Sequence, residues 1–186
     1  MSRSDPSMDP TASTIDRIAA ILDTHDLIDV ASAVRECCGS TATRRYGEVP
    51  ATIAAFAVAS RRSPGVTIDV DVASEQLGVD PTDVRRSIDL FEAKLSTPAP
   101  ATERRRLRQS IVAIDELLAA IEIGRSNPPR LAGPGFEAVD PRIRAMAARP
   151  LDEVDSTELQ RDRRRLAADL TLARLGVELF VRVHAD

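Results

Sequence analysis

The chain has 186 residues, 43% of them hydrophobic, and a formal net charge of -4. That is enough apolar material for one domain or two small ones, and it excludes a disordered chain. Only 3% is aromatic and Trp is absent, so Ala, Val, Leu and Ile must build the core, which favours closely packed helices over an aromatic-rich sheet. With no run of about 18 apolar residues and no signal-type segment, the sequence predicts a soluble cytoplasmic protein with no membrane partner.

Residues 1–13 are polar, carry two prolines and lack apolar periodicity, which predicts a disordered arm. A first helix, about 14–24, follows Ile15, Ile18, Ala19 and Leu22, with Ser13 and Asp16 spaced as an acidic capping box. A second, about 26–38, uses Leu27, Val30, Ala31, Val34 and Cys38. Cys37 and Cys38 are adjacent and have no partner at disulfide or zinc-ligand spacing, so they read as reduced thiols in a helical core. The polar stretch 39–48 predicts a loop. A third helix, about 50–62, contains ATIAAFAVAS without a charge, which suits a central helix packed on every side. Arg61 and Arg62 close it, where cations suit the helix dipole.

Residues 70–95 read as a helix, a glycine turn at Gly78 and a second helix opening on Asp80-Pro81. Asp80 is a good N-cap, and Pro81 suits the first helical position. Ala73, Leu77 and Val79 followed by Val84, Ile88 and Phe91 let the two helices pack on each other, which is helix-turn-helix spacing. Thr82, Arg85 and Arg86 then occupy the exposed face that enters a major groove in such motifs. Against that stand Asp80, Asp83, Asp89 and Glu92. The plain alternative for Arg85 is an i,i+4 pair with Asp89.

Pro98 and Pro100 mark a linker over 97–102, and residues 103–186 form a second region, a helical hairpin or small bundle. Its first helix, about 101–124, places Leu107, Ile111, Ile114, Leu118 and Ile121 on a heptad seam, which serves either an internal core or a homodimer. After a Pro- and Gly-rich loop and a short helix from Asp140, a final helix over about 156–184 carries Leu159, Leu166, Leu170, Ala173, Val177, Phe180 and His184. Arginine runs at 104–106 with Arg108, and at 161 and 163–165, lie near helix N-termini, where the dipole disfavours cations. They share one end of the region if the long helices run parallel and lie at opposite ends if antiparallel. His25 and His184 have no companion carboxylates. The glycines at 133 and 135 lack the lysine of a phosphate loop, and no Ser-His-Asp, HExxH or Walker pattern is present, so neither an enzyme nor a cofactor is expected.

TIDRIAAIL at 14–22, PATIAAFAVASRR at 50–62 and ASEQLGVDPTDVRRSI at 73–88 resemble the corresponding helices of the cyclin-like repeats of archaeal transcription factor B and its eukaryotic counterpart. The likeness covers about 80 of the 186 residues. Pro50, Ala51, Ala54 and Ala55 match the family's third helix, while Val79, Val84, Arg85 and Arg86 fall at its Val, aliphatic and basic positions. The resemblance implies a five-helix cyclin-like domain over 14–96, a transcription-linked role, DNA contact by the last two helices and TATA-binding protein as a partner. The chain has no CxxC pair for the family's zinc ribbon and one repeat where the general factor has two, so a relative with a single module is implied.

The sequence therefore predicts an all-α, non-enzymatic, transcription-related DNA-binding protein. Candidate DNA contacts are Thr82, Arg85, Arg86, Arg104, Arg105, Arg106 and Arg108. The alternatives are a protein-interaction module working through a cyclin-like groove, or a helical dimerisation protein.

Overall fold

The computed structural model describes residues 13–65 and 67–184. Among them are nine α-helices and no strand, and the arm expected before Ser13 lies outside the described residues. The chain falls into two compact units, one running up to Thr97 and resuming at Leu175, the other Pro98–Arg174.

In the first unit, α1 (Thr14–Leu22) opens on the expected capping box: the Asp16 backbone N–H donates to Ser13 Oγ and the Ser13 N–H to Asp16 Oδ2. A 3-10 turn leads into α2 (Ile28–Tyr46). The loop expected at 39–48 is thus corrected to helix as far as Tyr46. Ala31, Val34, Cys38 and Ala42 form one buried stripe at steps of three and four, and this tertiary burial outweighs the poor helix propensity of Gly39, Ser40, Thr41 and Thr43. Gly47, at φ 96° and ψ 162°, ends α2 and turns the chain into α3.

α3 (Glu48–Arg62) is buried at every position from Pro50 to Ser60. It packs on α1, α2, α4 and α5, and its small side chains are what let four neighbours approach one helix. α4 (Val70–Leu77) and α5 (Pro81–Glu92) follow, with Val84, Ile88 and Phe91 buried in the core around α3. Burying Phe56 and Phe91 fully stabilises the unit by about 1.5–3 kcal/mol each before entropy is counted.

The second unit contains α6 (Ala101–Glu122), the short α7 (Pro141–Met146) and α8 (Ser156–Leu175) up to Arg174. The long helices are antiparallel. The Ala99 N–H donates to the Ala173 carbonyl at 2.8 Å at one end, Arg163 Nε lies 2.5 Å from Asp115 further along, and the Leu151 N–H reaches the Ser126 carbonyl at the other. Leu107 and Ile114 of the expected seam are buried in one core with Leu159, Leu166 and Leu170, while Ile111, Leu118 and Ile121 pack against it half-buried and Leu117, outside that seam, is fully buried. The loop before α7 is pinned to α6 by buried side chains. Gln109 Nε2 donates to the Pro134 carbonyl, its Oε1 accepts from the Ala138 N–H, and Ser110 Oγ accepts from the Asp140 N–H.

The final helix expected over 156–184 is corrected to two. Gly176, at φ 79° and ψ 164°, breaks it, and α9 (Val177–Val183) belongs to the first unit. The break changes the phase of the apolar stripe. Val177, expected inside, is 60% exposed, while Leu179 is fully buried and Phe180 packs on the first unit's core.

Candidate nucleic-acid interface

Local chemistry builds the α4–α5 pair. Asp69 Oδ1 accepts from the backbone N–H groups of Asp71 and Val72 to cap α4, and Gly78 ends it in the left-handed region at φ 66°. Asp80 Oδ1 accepts from the Thr82 N–H at 2.7 Å to cap α5, with Pro81 following it. Hydrogen bonds from the Thr82 backbone and hydroxyl hold the Asp80 carboxyl below the usual carboxylate range, and the charges of Arg86 and Arg85 act the same way.

Thr82, Arg85 and Arg86 are exposed on α5, as the sequence predicts, but both arginines already face acids. One terminal nitrogen of Arg85 lies 2.5 and 2.7 Å from the two oxygens of Asp71, so its partner is an α4 acid and not Asp89. Arg86 stands 3.8 Å from Asp83. At the back of the pair Arg61 meets Glu92 at 2.5 Å. Asp69, Asp71, Glu75, Asp80, Asp89 and Glu92 are exposed around these arginines. Asp71 carries no local signal as a partner, because 14 residues separate it from Arg85.

The second-unit arginines divide. Because α6 and α8 are antiparallel, the run at 104–108 and the run at 161–165 lie at opposite ends. Arg105 is occupied by the Pro134 carbonyl at 3.1 Å and Glu137 at 3.3 Å, so it holds the loop. Arg163 and Arg165 pair with Asp115 and Asp162. Arg104, Arg106 and Arg108 have no ion pair among the described residues.

Arg62 differs most from its expected role. It is 6% exposed and donates to the carbonyls of Ser96 and Leu175 at 2.9 and 2.6 Å. Burial pushes its guanidinium below its ordinary value, opposed by the charges of Glu92 and Glu178. Cys38 is buried and free beside Cys37, and burial pushes its thiol up. His25 and His184 are exposed, the latter stacked on Phe180 at 4.4 Å between ring centres. Among the described residues no cluster of His, Cys, Asp and Glu could hold a metal ion, and no helix is long and apolar enough to cross a membrane.

A cleft of about 290 Å³ lies between the end of α1 and α4, and it is lined by Ile21, Leu22, Ile68 and Val72 with Asp23 and Asp69. Ile21 and Val72 are 48% and 51% exposed there. Set against protein-family models, curated proteins and solved structures, the chain matches none.

Proposed function

We propose that the chain is a non-enzymatic, transcription-related DNA-binding protein whose first unit is a cyclin-like bundle resembling one repeat of transcription factor B. The burial of α3 at every position from Pro50 to Ser60, with α1, α2, α4 and α5 around it, supports the cyclin-like reading. The observation that carries the DNA reading is the exposure of Thr82, Arg85 and Arg86 together on the first two turns of a capped helix. Their acid partners are themselves on the surface, and exposed ion pairs contribute about 0–1 kcal/mol. A bidentate arginine contact to guanine discriminates by about 1–3 kcal/mol, so exchanging Asp71 for a base or phosphate is favourable wherever the surrounding acids are screened. Duplex binding should weaken as salt rises if phosphates are contacted, and Arg85→Ala with Arg86→Ala should reduce it. Undiminished binding by the double variant removes α5 as the recognition helix.

A second reading is favoured by the acidic surface of the α4–α5 pair and by the exposed Ile21 and Val72 in the cleft beside it. In this reading the first unit takes a protein partner with an apolar side chain flanked by basic residues. Titration with TATA-binding protein, the partner implied by the resemblance, tests it. Val72→Ser, which removes the apolar surface without adding charge, should weaken that binding and leave duplex binding intact.

A further inference from the structure

Arg104, Arg108 and Arg174 of the second unit stand toward the adjoining ends of α6 and α8. The Ala99–Ala173 hydrogen bond ties these two helix ends together. Arg104 and Arg108 are one turn apart on α6, and helical side chains lean toward the N-terminus, so both reach back toward the end of α8 that carries Arg174. Among the second unit's arginines Arg105, Arg142, Arg163 and Arg165 pair with acids, while Arg104, Arg108 and Arg174 are among those that make no ion pair within the described residues. What sets this end apart is that Arg104 Nε is buried with no acceptor.

Such an arrangement costs free energy. Burial first, then the charges of Arg108 and Arg104, push the Arg174 guanidinium below its ordinary value. Arg104 also sits in the first turn of a helix whose dipole repels cations and whose N-terminus, at Pro100, has no side-chain cap. An anion between the three groups would accept from the free guanidinium N–H donors and cancel the mutual repulsion.

We propose that Arg104, Arg108 and Arg174 form a binding site for a phosphate-type oxyanion. Planar guanidinium forks match the oxygen spacing of phosphate and bind it through paired, charge-assisted hydrogen bonds. The group is a free phosphate or a phosphodiester of a nucleic-acid backbone, and both present the same oxygens. The site stands independently of α5, because none of its residues belongs to the α4–α5 pair.

The test is thermal unfolding of the full chain, followed by circular dichroism at fixed ionic strength, in chloride, in inorganic phosphate and with a short DNA duplex. A saturating rise in melting temperature with phosphate alone supports the site and assigns it to a free oxyanion. A rise with duplex alone supports it and assigns it to a phosphodiester when that rise persists in Arg85→Ala with Arg86→Ala and is lost on adding Arg108→Gln with Arg174→Gln. Arg108→Gln should weaken either ligand about ten- to a hundredfold, the usual worth of a hydrogen bond to a charged group; its exposed side chain makes this variant safe for folding. Arg108→Gln with Arg174→Gln should abolish a rise with phosphate and lower a rise with duplex, while the Arg85 and Arg86 variants leave a rise with phosphate unchanged. No rise with either ligand, an equal rise in chloride, or an undiminished rise in the double variant overturns the proposal.

Discussion

Arg62 and Leu175, 113 residues apart, meet through a 2.6 Å hydrogen bond in which the guanidinium donates to the backbone carbonyl. A second bond of 2.9 Å reaches the Ser96 carbonyl, so one side chain at the end of α3 holds the segment after α5 and the segment before α9. Glu178 adds to the tie by accepting from the Ser96 N–H at 3.1 Å. Arg62→Met keeps the apolar stem, removes both donations and leaves two carbonyls to find other partners. The expected loss is about 2–4 kcal/mol, read from the urea midpoint by circular dichroism. An unchanged midpoint would rule out the clamp.

Gly176 makes the same junction possible. Its φ of 79° and ψ of 164° lie in a region that residues with a Cβ rarely adopt. A Cβ built there meets the Ser96 carbonyl oxygen at 3.0 Å, the acceptor that Arg62 uses. Gly176→Ala should therefore cost about 1–3 kcal/mol from backbone strain alone. Limited proteolysis should show α9 cleaved before the rest of the first unit. Wild-type resistance in this variant would show that the junction tolerates a side chain.

Both features explain where the sequence was legible. Caps and periodicity are local, so Ser13 with Asp16, Asp80 with Pro81, and the uncharged 51–60 stretch all predict elements that the structure contains. Gly39 and Gly176 carry the same local signal, yet one lies inside a helix and the other ends one. The difference is tertiary. Cys38 and Ala42 bury against the core and draw the helix through Gly39, while the burial of Leu179 and Phe180 on the first unit demands a change of direction at Gly176. Charge partners were the least legible part, since Arg85 meets Asp71 and Arg62 meets Leu175 only after the chain has folded.

If α5 reads DNA, Asp71 competes with DNA for Arg85. Asp71→Asn removes one negative charge and the ion pair while keeping a polar side chain at the exposed start of α4. Duplex affinity should rise several-fold at low salt, and the gain should shrink as added salt screens the acids. Fluorescence anisotropy with a labelled duplex reads both quantities. Unchanged affinity would place the contact surface elsewhere than beside Arg85.

Asp80 gives the α4–α5 pair an acid-sensitive cap. Its folded carboxyl is held below the ordinary value by Thr82, so its contribution to stability is fully present above the unfolded value. That contribution is lost as pH falls through the lower folded one. Asp80→Ala should melt below wild type at neutral pH, and the gap should narrow in acid. Asp80→Asn keeps a capping oxygen and should restore most of the neutral-pH stability without the acid-dependent part. A gap independent of pH would mean that the ionised carboxylate is not what caps α5.

The heptad seam on α6 leaves oligomeric state as a sharp test. A stable interface buries about 800 Å² on each partner around an apolar centre. The seam packs inside the second unit, with Leu107 and Ile114 buried and Ile111, Leu118 and Ile121 half-buried against the core of Leu159, Leu166 and Leu170. The large apolar side chains still exposed here are Val112 on α6 and Ile123 at its C-cap, about three helical turns or roughly 16 Å apart. Two isolated side chains at that spacing make no continuous patch. Light scattering should accordingly return the 20.1 kDa of one chain at micromolar concentration. A mass of twice that, lowered by Val112→Asp or Ile123→Asp, would show that α6 pairs with a second copy through its outer face and not through the heptad residues.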